Sequence, residues 1–347
     1  MVQGYFHRVH QETATRFWIN LPTDAETVQA IEAGAAACTT NPTHCARMID
    51  MEPDYMRGLI DKVVREVEDD DAAAERVYQL ASLRIVDRFL PLYERSGGRE
   101  GFVTIQGDPR KDDDADYIVN EALRHCAIAK SAMAKIPINE AGLHAVEVLA
   151  ARNIPICATE IFTVSQAIEV CEAYKRAAQR SGNHPPFYVT HITGIFDRWM
   201  SEYVQREKID IAPEVLAQAG WAVAHEEYRI LKERGYEGTM LGGGALNNSH
   251  FTEMVGGDMH VTLNWSIVKA LLDADGPVVS RIHVPAPKEV VDELSEKIPA
   301  FRQAFYEGAL SVSEYKDHGP LVLFRSMFLN GYNRLVGEVA ARRAAIG

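Results

Sequence analysis

Short apolar runs alternate with amphipathic stretches along most of the chain. Eight of these runs are rich in β-branched, aromatic or small residues and end at turn-forming residues, a pattern typical of buried strands. They lie at 16–20, 35–40, 102–106, 132–136, 156–159, 187–190, 239–241 and 261–263. Between the later runs, apolar residues recur at helical spacing over 114–130, 140–152, 163–180, 212–234 and 248–256. Strands that alternate with helices predict a parallel sheet with covering helices.

The number of predicted strands decides between two α/β architectures. Eight strands close a (β/α)₈ TIM barrel, whose usual core is roughly 250 residues long. A doubly wound sheet is the main alternative, but it usually carries a Gly-rich phosphate turn after its first strand. Asn20 ends that strand here without such a turn, and the Gly-Gly-Gly at 242–244 follows the seventh strand instead. The sequence therefore predicts one barrel domain over residues 1–347, with its core at about 16–285.

Three stretches fall outside the regular alternation. Residues 43–98 show helical spacing between the second and third strands, interrupted by an acidic turn at 66–71. Residues 288–345 have the pattern of amphipathic helices, and we expect them to pack on the barrel. The first fifteen residues are polar and His-rich and predict a loose lead-in. The barrel is thus expected to carry extra helices after its second strand and at the C-terminus.

Composition argues against several classes of protein. The chain has 347 residues, of which 47% are hydrophobic and 24% charged, as in ordinary globular proteins. Lys plus Arg number 36 against 49 Asp plus Glu, and the net charge of −13 argues against a protein that binds nucleic acid or an anionic membrane. A small anionic substrate is not excluded, because it senses only the local charge.

The same features indicate a cellular compartment. No run of about 18 apolar residues predicts a membrane-spanning helix, and the opening residues do not resemble a secretory signal. The five cysteines form no CxxC pair, which is typical of buried thiols in a reducing compartment. The sequence therefore predicts a cytoplasmic enzyme or enzyme-like protein.

One charged residue interrupts a strand that should be apolar. Lys135 lies within Ala-Met-Ala-Lys-Ile-Pro-Ile, and lysine is almost never buried without a partner or a purpose. Burial lowers the pKa of a lysine and makes the neutral amine a nucleophile towards carbonyls, which Schiff-base chemistry requires. From the pattern alone, a lysine that snorkels to solvent at the strand end is an equally good interpretation.

Several segments, in consistent order and spacing, resemble one enzyme family. Thr39-Thr-Asn-Pro-Thr43 resembles the motif that closes the second strand of transaldolases. Residues 134–142, Ala-Lys-Ile-Pro-Ile-Asn-Glu-Ala-Gly, are similar to the Schiff-base segment of that family. Further similar segments lie at 154–159 and 242–247. Residues 187–199 resemble the sixth strand of the family and the loop that follows it. The resemblance implies a class I aldolase or transferase of carbohydrate metabolism, of the type that serves the pentose phosphate pathway.

The resemblance also implies roles for individual residues. Lys135 matches the Schiff-base lysine, and Thr159 matches the threonine that helps hold the catalytic water. Asn41 matches the asparagine that binds substrate hydroxyls. Gln106 stands where most transaldolases have a glutamate that orients the water, and some members of the fructose-6-phosphate aldolase type have glutamine there. Thr190 stands where the family has a serine or alanine that lines the substrate pocket.

The acid/base aspartate of the family is missing from this chain. The family places it at the end of the first strand, where this chain has Asn20. An amide does not exchange a proton usefully, and general acid–base catalysis contributes about 10²–10⁴ in rate. Asn20 is therefore expected to bind substrate or the attached intermediate. Glu160 and His191 are ionisable, but each is adjacent to a family position and is expected to point to the other side of its strand.

The phosphate anchors of the family are replaced as well. Transaldolases hold the phosphate with an arginine after the sixth strand and a Ser-x-Arg after the seventh, where this chain has Ile195, Gly244 and Leu246. Loss of both guanidinium groups removes the bidentate phosphate contacts. Arg198 is the nearest basic substitute, and Gly244 and Asn247 of the glycine-rich loop are expected to bind substrate. The expected substrate is thus a non-phosphorylated or otherwise modified sugar.

These observations together predict a divergent transaldolase-like enzyme. Lys135 would form a Schiff base with a ketose or hydroxyketone, and a carbon–carbon bond would then break or form. Two other functions stay open: a non-catalytic sugar-binding or regulatory protein on a degenerate barrel, and a Schiff-base dehydratase or isomerase. The scattered histidines lack metal-ligand spacing, so neither a metal nor a cofactor is predicted. The expected partner is a small carbohydrate, and the oligomeric state is left open, with a homo-oligomer among the options.

Overall fold

The strands of the chain form a closed barrel. The computed structural model describes residues 4–346, and in it each strand pairs in parallel with its neighbours in chain order, the last with the first. The prediction of a (β/α)₈ TIM barrel is confirmed, and the doubly wound sheet is excluded. The strands are β1 Arg16–Asn20, β2 Ala37–Thr39, β3 Val103–Gln106, β4 Ala132–Pro137, β5 Ile156–Ile161, β6 Phe187–His191, β7 Thr239–Gly242 and β8 Met259–Leu263.

Helices connect the strands and continue beyond the last one. They are α1 Tyr5–Glu12, α2 Asp24–Glu32, α3 His44–Met51, α4 Pro53–Glu66, α5 Asp70–Arg95, α6 Ala115–Cys126, α7 Glu140–Ala151, α8 Val164–Ser181, α9 Thr193–Glu207, α10 Pro213–Leu216, α11 Ala219–Glu233, α12 Ser249–Thr252, α13 Trp265–Ala274, α14 Lys288–Lys297, α15 Pro299–Phe305 and α16 Gly319–Ile346. The expected extra helices after β2 are α3, α4 and α5, and those of the C-terminal tail are α14, α15 and α16. None of the helices within residues 4–346 is long and apolar enough to cross a membrane.

The expectation of a loose lead-in is wrong, because the first described residues form α1. Tyr5, Phe6 and Val9 are buried on one face of this helix. Phe6 packs on Phe17 of β1, with ring centroids 4.1 Å apart. The spacing of these three apolar residues is a helical signal that the neighbouring histidines obscured. Residues 1–3 of the same prediction lie outside the described part of the chain.

The segment after β6 is also helical, whereas its resemblance to the family predicted a loop. In α9, Phe196 and Met200 are buried and lie one helical turn apart. Gly194 lies in the first turn, and a Cβ at this position would overlap the carbonyl oxygen of Gly244. Glycine at 194 therefore lets the loop after β7 approach the start of α9, which closes one side of the barrel mouth.

Apolar side chains fill the barrel interior below its mouth. Trp18 and Tyr188 meet edge to face there, with ring centroids 4.7 Å apart. The same cluster contains Met133, Cys157 and Leu241 from three further strands. This packed floor leaves the C-terminal ends of the strands as the open end, where barrel enzymes hold their active sites.

The last helix, α16, crosses the mouth of the barrel. It packs against α3, α4, α5 and α9. Gly331 lets it lie directly on Thr43, because a Cβ at 331 would come within 2.8 Å of the Thr43 backbone. Phe324 and Phe328 on this helix are buried. The helix thus places two aromatic rings over the strand ends.

Candidate active site

Lys135 lies in the barrel interior on β4. It is 5% exposed, and its Nζ donates a hydrogen bond to the backbone oxygen of Thr40 at 3.2 Å. The ring centre of Phe328 lies 5.8 Å from the same nitrogen. Burial lowers the pKa of Lys135, because the charged amine loses its hydration. The interpretation as a snorkelling surface lysine is therefore wrong, and a larger fraction of the amine is neutral and nucleophilic than in a solvated lysine.

The turn from β4 into α7 holds the strand at this height. Asn139 caps the helix, since its Oδ1 accepts a hydrogen bond from the Gly142 nitrogen at 2.8 Å. Its Nδ2 donates to the backbone oxygen of Asp112 at 2.8 Å. Gly142 is required because a Cβ there would overlap the carbonyl oxygen of Pro137. Asn139 and Gly142 of the segment around Lys135 are thus explained by local packing and hydrogen bonds, without a direct role in the reaction.

A cavity of about 180 Å³ opens above the strand ends beside Lys135. Amide and hydroxyl side chains from the strand ends form one part of its wall, and apolar side chains from α9, the loop after β7 and α16 form the other. Lys135 is the one charged residue on this wall within residues 4–346. The cavity therefore joins a nucleophilic amine to groups that can bind sugar hydroxyls.

Besides Lys135, four of the predicted site residues lie on the cavity wall: Asn20, Asn41, Thr190 and Gly244. The amide of Asn20 is held from both ends. Its Nδ2 donates to Asn264 Oδ1 at 2.9 Å, and its Oδ1 accepts from Thr39 Oγ1 at 2.9 Å. A group held in this way can orient a substrate hydroxyl but does not supply a proton.

The other wall residues are also held by short local contacts. Asn41 Oδ1 accepts hydrogen bonds from the Thr43 nitrogen at 2.9 Å and from Thr43 Oγ1 at 2.6 Å. Thr190 Oγ1 lies 3.3 Å from Cys157 Sγ. Gly244 has a φ of 65°, a left-handed conformation that favours glycine. These contacts fix the polar part of the wall.

Asn247 lies away from the wall, at the start of α12. Its Oδ1 accepts hydrogen bonds from the Ser249 nitrogen at 2.9 Å and from Ser249 Oγ at 2.6 Å. Such a turn is the usual local role of asparagine before a helix. The structure therefore places this predicted substrate-binding residue in the support of the loop rather than in the cavity.

Gln106 and Thr159 are fully buried beside Lys135. Gln106 ends β3 and is the register partner of Lys135 on β4. Its Nε2 donates a hydrogen bond to Glu160 Oε1 at 2.8 Å. Gln106 Oε1 and Thr159 Oγ1 have no hydrogen-bond partner within the described part of the chain. Gln106 and Thr159, which were expected to hold a water, thus each have one polar atom free to form a hydrogen bond with it.

Glu160 points into the barrel, contrary to the expectation from strand alternation. The β5–β6 register shifts between Ala158 and Ile161, and Glu160 has a φ of 62°. A bulge of this kind re-aims a side chain that regular alternation would send outward. The left-handed conformation costs roughly 1–2 kcal/mol for a residue with a Cβ. The prediction was correct for His191, which bonds to Glu227 of α11 outside the barrel, with 3.0 Å between Nδ1 and Oε1.

Two further charged groups adjoin Glu160 and were missed by sequence reasoning. Arg325 of α16 binds Asp113, with 2.8 Å between Nη2 and Oδ2. Burial raises the pKa of Glu160, and the positive charge of Arg325 offsets part of this rise. Asp112 is buried, and its pKa is raised well above the usual range, first by burial and then by Glu160. The one sequence signal was Glu160 itself, a charge inside the apolar run 156–162. No local sequence signal indicated Arg325, because it lies on α16, far from Glu160 in the chain.

The far end of the cavity is apolar where the family binds phosphate. Ile195 and Leu246 line it, together with Ile192, Phe324 and Met327. Arg198, the expected basic substitute, instead pairs with Glu202 along α9, with 2.8 Å between Nε and Oε1. An apolar wall offers a phosphate neither charge nor hydrogen-bond donors.

One cluster outside the mouth has the residue types of a metal site. Ligand atoms of Glu75, Glu121 and His125 lie within 4.8 Å of one another between α5 and α6. Arg124 already binds Glu75 through two nitrogens at 2.8 and 2.9 Å, and burial raises the pKa of Glu121 to about 8. The charge of Glu75 is thus balanced by arginine, and the cluster lies behind the sheet rather than at the cavity.

Comparisons with known proteins agree with this geometry. The family model for Transaldolase/Fructose-6-phosphate aldolase matches residues 21–310. A protein named Transaldolase from Neisseria meningitidis serogroup C is 28% identical over 233 residues, which are 62% of this chain and 65% of the relative. Transaldolase 1 from Streptomyces avermitilis is 34% identical over 208 residues, 56% of this chain and 53% of the relative. A Transaldolase from Thiobacillus denitrificans is 30% identical over 151 residues, 42% of this chain and 41% of the relative.

The chain therefore aligns with less than two thirds of the length of these curated relatives. The family match itself is broader within the chain, since it includes every strand from β2 to β8 and the buried lysine of β4. Resemblance of short motifs, barrel topology and this match lead to the same assignment. The chain belongs to the transaldolase/fructose-6-phosphate aldolase family.

Proposed function

We propose that the protein is a transaldolase-type transferase or class I aldolase that forms a Schiff base through Lys135. The observation that supports this most directly is a buried amine of lowered pKa on the wall of a cavity. A neutral lysine attacks a carbonyl, whereas a solvated one at neutral pH is protonated and inert. Membership in the family supports the same chemistry.

The reaction begins when Nζ adds to the ketone carbon of the substrate. A carbon–nitrogen bond forms, the carbonyl oxygen is protonated, and it leaves as water to give an iminium. The hydroxyl on the β carbon then loses its proton, and the bond between the α and β carbons breaks as this hydroxyl becomes the carbonyl of a departing aldehyde. The electron pair of the broken bond forms the carbon–carbon double bond of an enamine on Lys135, and the C=N pair returns to nitrogen. Attack of the enamine on a second aldehyde completes a transfer, whereas protonation and hydrolysis complete an aldol cleavage.

We infer that the substrate is a ketose or hydroxyketone without a phosphate at its far end. Asn20, Asn41 and Thr190 supply amide and hydroxyl groups from the strand ends to the cavity that contains Lys135. Ile195 of α9 and Leu246 of the loop after β7 supply hydrocarbon to the same cavity. A cavity with this distribution favours a polyhydroxylated carbonyl segment that ends in an uncharged group.

A second function, a Schiff-base isomerase or dehydratase, is favoured by one observation. Asn20 occupies the place of the acid/base aspartate, and both ends of its amide are hydrogen-bonded to neighbours. Without a carboxylate there, carbon–carbon cleavage lacks the proton acceptor that the family uses. Analysis of the products separates the two functions, since cleavage yields a shorter aldehyde and isomerisation conserves the carbon count.

Borohydride trapping tests the central proposal. Reduction in the presence of dihydroxyacetone or another member of a ketose and hydroxyketone panel is expected to add the ketone to the peptide that contains Lys135, as seen by mass spectrometry. Lys135→Ala is expected to abolish the adduct and turnover. Lys130→Ala is a matched control, because Lys130 lies on the exposed segment just before β4 and its loss is expected to leave trapping intact.

The same variants distinguish an enzyme from a degenerate sugar-binding protein. A binder keeps its affinity for sugar in Lys135→Ala, measured by calorimetry, and has no turnover to lose. Absence of any adduct across the whole panel contradicts the proposal.

A further inference from the structure

A second ionisable group shares the barrel interior with Lys135. Glu160 on β5 is 2% exposed, and the bulge with its φ of 62° turns the side chain inward. Neither the family motif nor the role of the neighbouring Thr159 accounts for a carboxylate at this position. A buried charge held in a strained backbone conformation indicates a function for that group.

The position of Glu160 follows from barrel geometry. It bonds to Gln106, with 2.8 Å between Oε1 and Nε2, and Gln106 lies on β3 whereas Glu160 lies on β5. Since β4 runs between these two strands, the bond must pass across the inner side of β4. Lys135 is the β4 residue in register with Gln106. Glu160 lies three residues beyond Cys157, the β5 register partner of Lys135, and the charges of the carboxylate and the amine interact. The carboxylate therefore lies near the amine, on the side of the barrel mouth.

The surroundings of Glu160 suit a group that both binds and releases a proton. Lys135 faces it from β4, Gln106 from β3, Arg325 from α16 and Asp112 from the segment before α6. Burial raises the pKa of Glu160 to about 7, against the opposing effects of Gln106, Lys135 and Arg325. A carboxyl group with this pKa is present in both protonation states near neutral pH, which is the condition for efficient proton transfer.

Two polar atoms beside the carboxylate remain available. Gln106 Oε1 and Thr159 Oγ1 are buried and lack hydrogen-bond partners among residues 4–346. Together with Glu160 they can bind one water or one reacting oxygen next to Lys135. Through its hydrogen bond, Gln106 holds the Glu160 carboxylate near Lys135, although its own side chain is an uncharged amide.

We propose that Glu160 is the proton-transferring carboxylate of the Lys135 site, in place of the acidic residues that Asn20 and Gln106 have replaced. The inference rests on the proposed Schiff-base function. In the iminium, the Glu160 carboxylate takes a proton from the carbon next to the iminium carbon. The electron pair of that C–H bond forms a carbon–carbon double bond, and the C=N pair returns to nitrogen, which gives the neutral enamine. The reverse step returns the proton from Glu160 to carbon and restores the iminium.

Hydrogen exchange on a bound ketone isolates this step from aldehyde chemistry. The probe is dihydroxyacetone in D₂O, with deuterium incorporation at carbon followed by NMR and with the Lys135 adduct trapped by borohydride in parallel. In Glu160→Gln, exchange is expected to fall about 10²–10⁴-fold, while the trapped adduct stays close to the wild-type amount. Double substitution Q106E/E160Q moves the carboxylate to β3 and is expected to restore part of the exchange.

The pH profile provides a readout that a structural role would not change. Dividing the exchange rate by the amount of trapped adduct corrects for the titration of Lys135. In the wild type, this ratio is expected to rise with pH through about 7 as Glu160 becomes ionised. Asp112→Asn is expected to keep this rise, because Glu160 remains, and Glu160→Gln is expected to remove it. Glu121→Gln is the control, since it removes a different buried carboxyl behind the barrel and is expected to exchange like the wild type.

The outcomes separate the two proposals. Wild-type exchange and an unchanged pH profile in Glu160→Gln, with normal trapping, overturn the role of Glu160 and leave the Schiff base of Lys135 standing. Loss of the rise in Asp112→Asn rather than in Glu160→Gln also overturns it. A wild-type protein that forms no adduct overturns the Schiff-base function and this inference with it.

Discussion

Two buried ionisable side chains are the residue-scale features on which the proposed function rests. Lys135 and Glu160 both interrupt apolar strands, and both are nearly inaccessible in the barrel. The burial of the lysine could be predicted from the sequence, because its position in an apolar strand and its motif both indicated a side chain inside the barrel. The burial of the glutamate could not be predicted, because a bulge reverses the alternation on which the prediction depended.

A third buried carboxyl gives a prediction that concerns stability. Burial raises the pKa of Glu121 from 4.5 to about 8, so the folded state binds this proton more tightly than the unfolded state. Stability is therefore expected to fall as pH rises from about 4.5 to about 8, and each tenfold difference in proton affinity corresponds to about 1.4 kcal/mol. Glu121→Gln is expected to lose that part of the decline, measured by urea unfolding at pH 5 and pH 9.

The control for this prediction is Glu214→Gln, which changes an exposed carboxyl and is expected to follow the wild-type pH dependence. An equal decline in Glu121→Gln and in the wild type would show that Glu121 does not bind its proton more tightly in the folded state.

At the scale of elements, the strands and most helices were predictable from the sequence, whereas the segments that connect them were not. All eight strands lie where apolar runs end at turn residues. Helix α9 was missed because it begins almost directly after β6, with no turn residues between them. Its first turn fits there because Gly194 lies close to Gly244, and this contact joins segments that are far apart in the chain. Asn247 was predicted to bind substrate, but its side chain holds the turn before α12 through hydrogen bonds from Ser249, because the direction of a loop side chain depends on the helix that follows.

A buried hydrogen bond joins one strand to its covering helix and gives a prediction at this scale. His191 of β6 and Glu227 of α11 are both fully buried, with 3.0 Å between Nδ1 and Oε1. Removing one partner leaves a buried polar group without its hydrogen bond, so His191→Ala is expected to cost at least about 1–3 kcal/mol in the free energy of unfolding. The double variant H191A/E227A is expected to cost less than the sum of the single variants, measured as a double-mutant cycle by urea unfolding. Additive costs would show that the pair does not couple β6 to α11.

For the whole molecule, the cavity is assembled from residues that span most of the chain. Asn20 on β1 and Phe328 on α16 lie on the same wall, although more than 300 residues separate them. The apolar side chains of the cavity come from α9, from the loop after β7 and from α16. The proposed selectivity against sugar phosphates is thus expected to depend on the assembled barrel rather than on one residue.

Restoring one guanidinium group tests this selectivity. Leu246 lies at the cavity rim and is 53% exposed, so an arginine there is expected to fold normally. Leu246→Arg is expected to lower KM for a phosphorylated ketose about tenfold relative to its unphosphorylated form, because a hydrogen bond to a charged group contributes about 1.5 kcal/mol or more. Leu246→Gln, which adds length without charge, is expected to leave the ratio unchanged. An unchanged ratio in both variants would show that the apolar far end does not decide selectivity.

The sequence by itself determined the barrel and the position of its lysine. Periodicity and turn residues act over a few neighbours, and they are enough to define eight strands and to place Lys135 inside one of them. Only the tertiary structure decided which groups surround that lysine. The bulge that turns Glu160 inward, the bond from Gln106 across β4, and the roof that α16 forms over the mouth all depend on register and packing between segments far apart in the chain. Side-chain direction at such places is decided by long-range contacts, which local patterns do not encode.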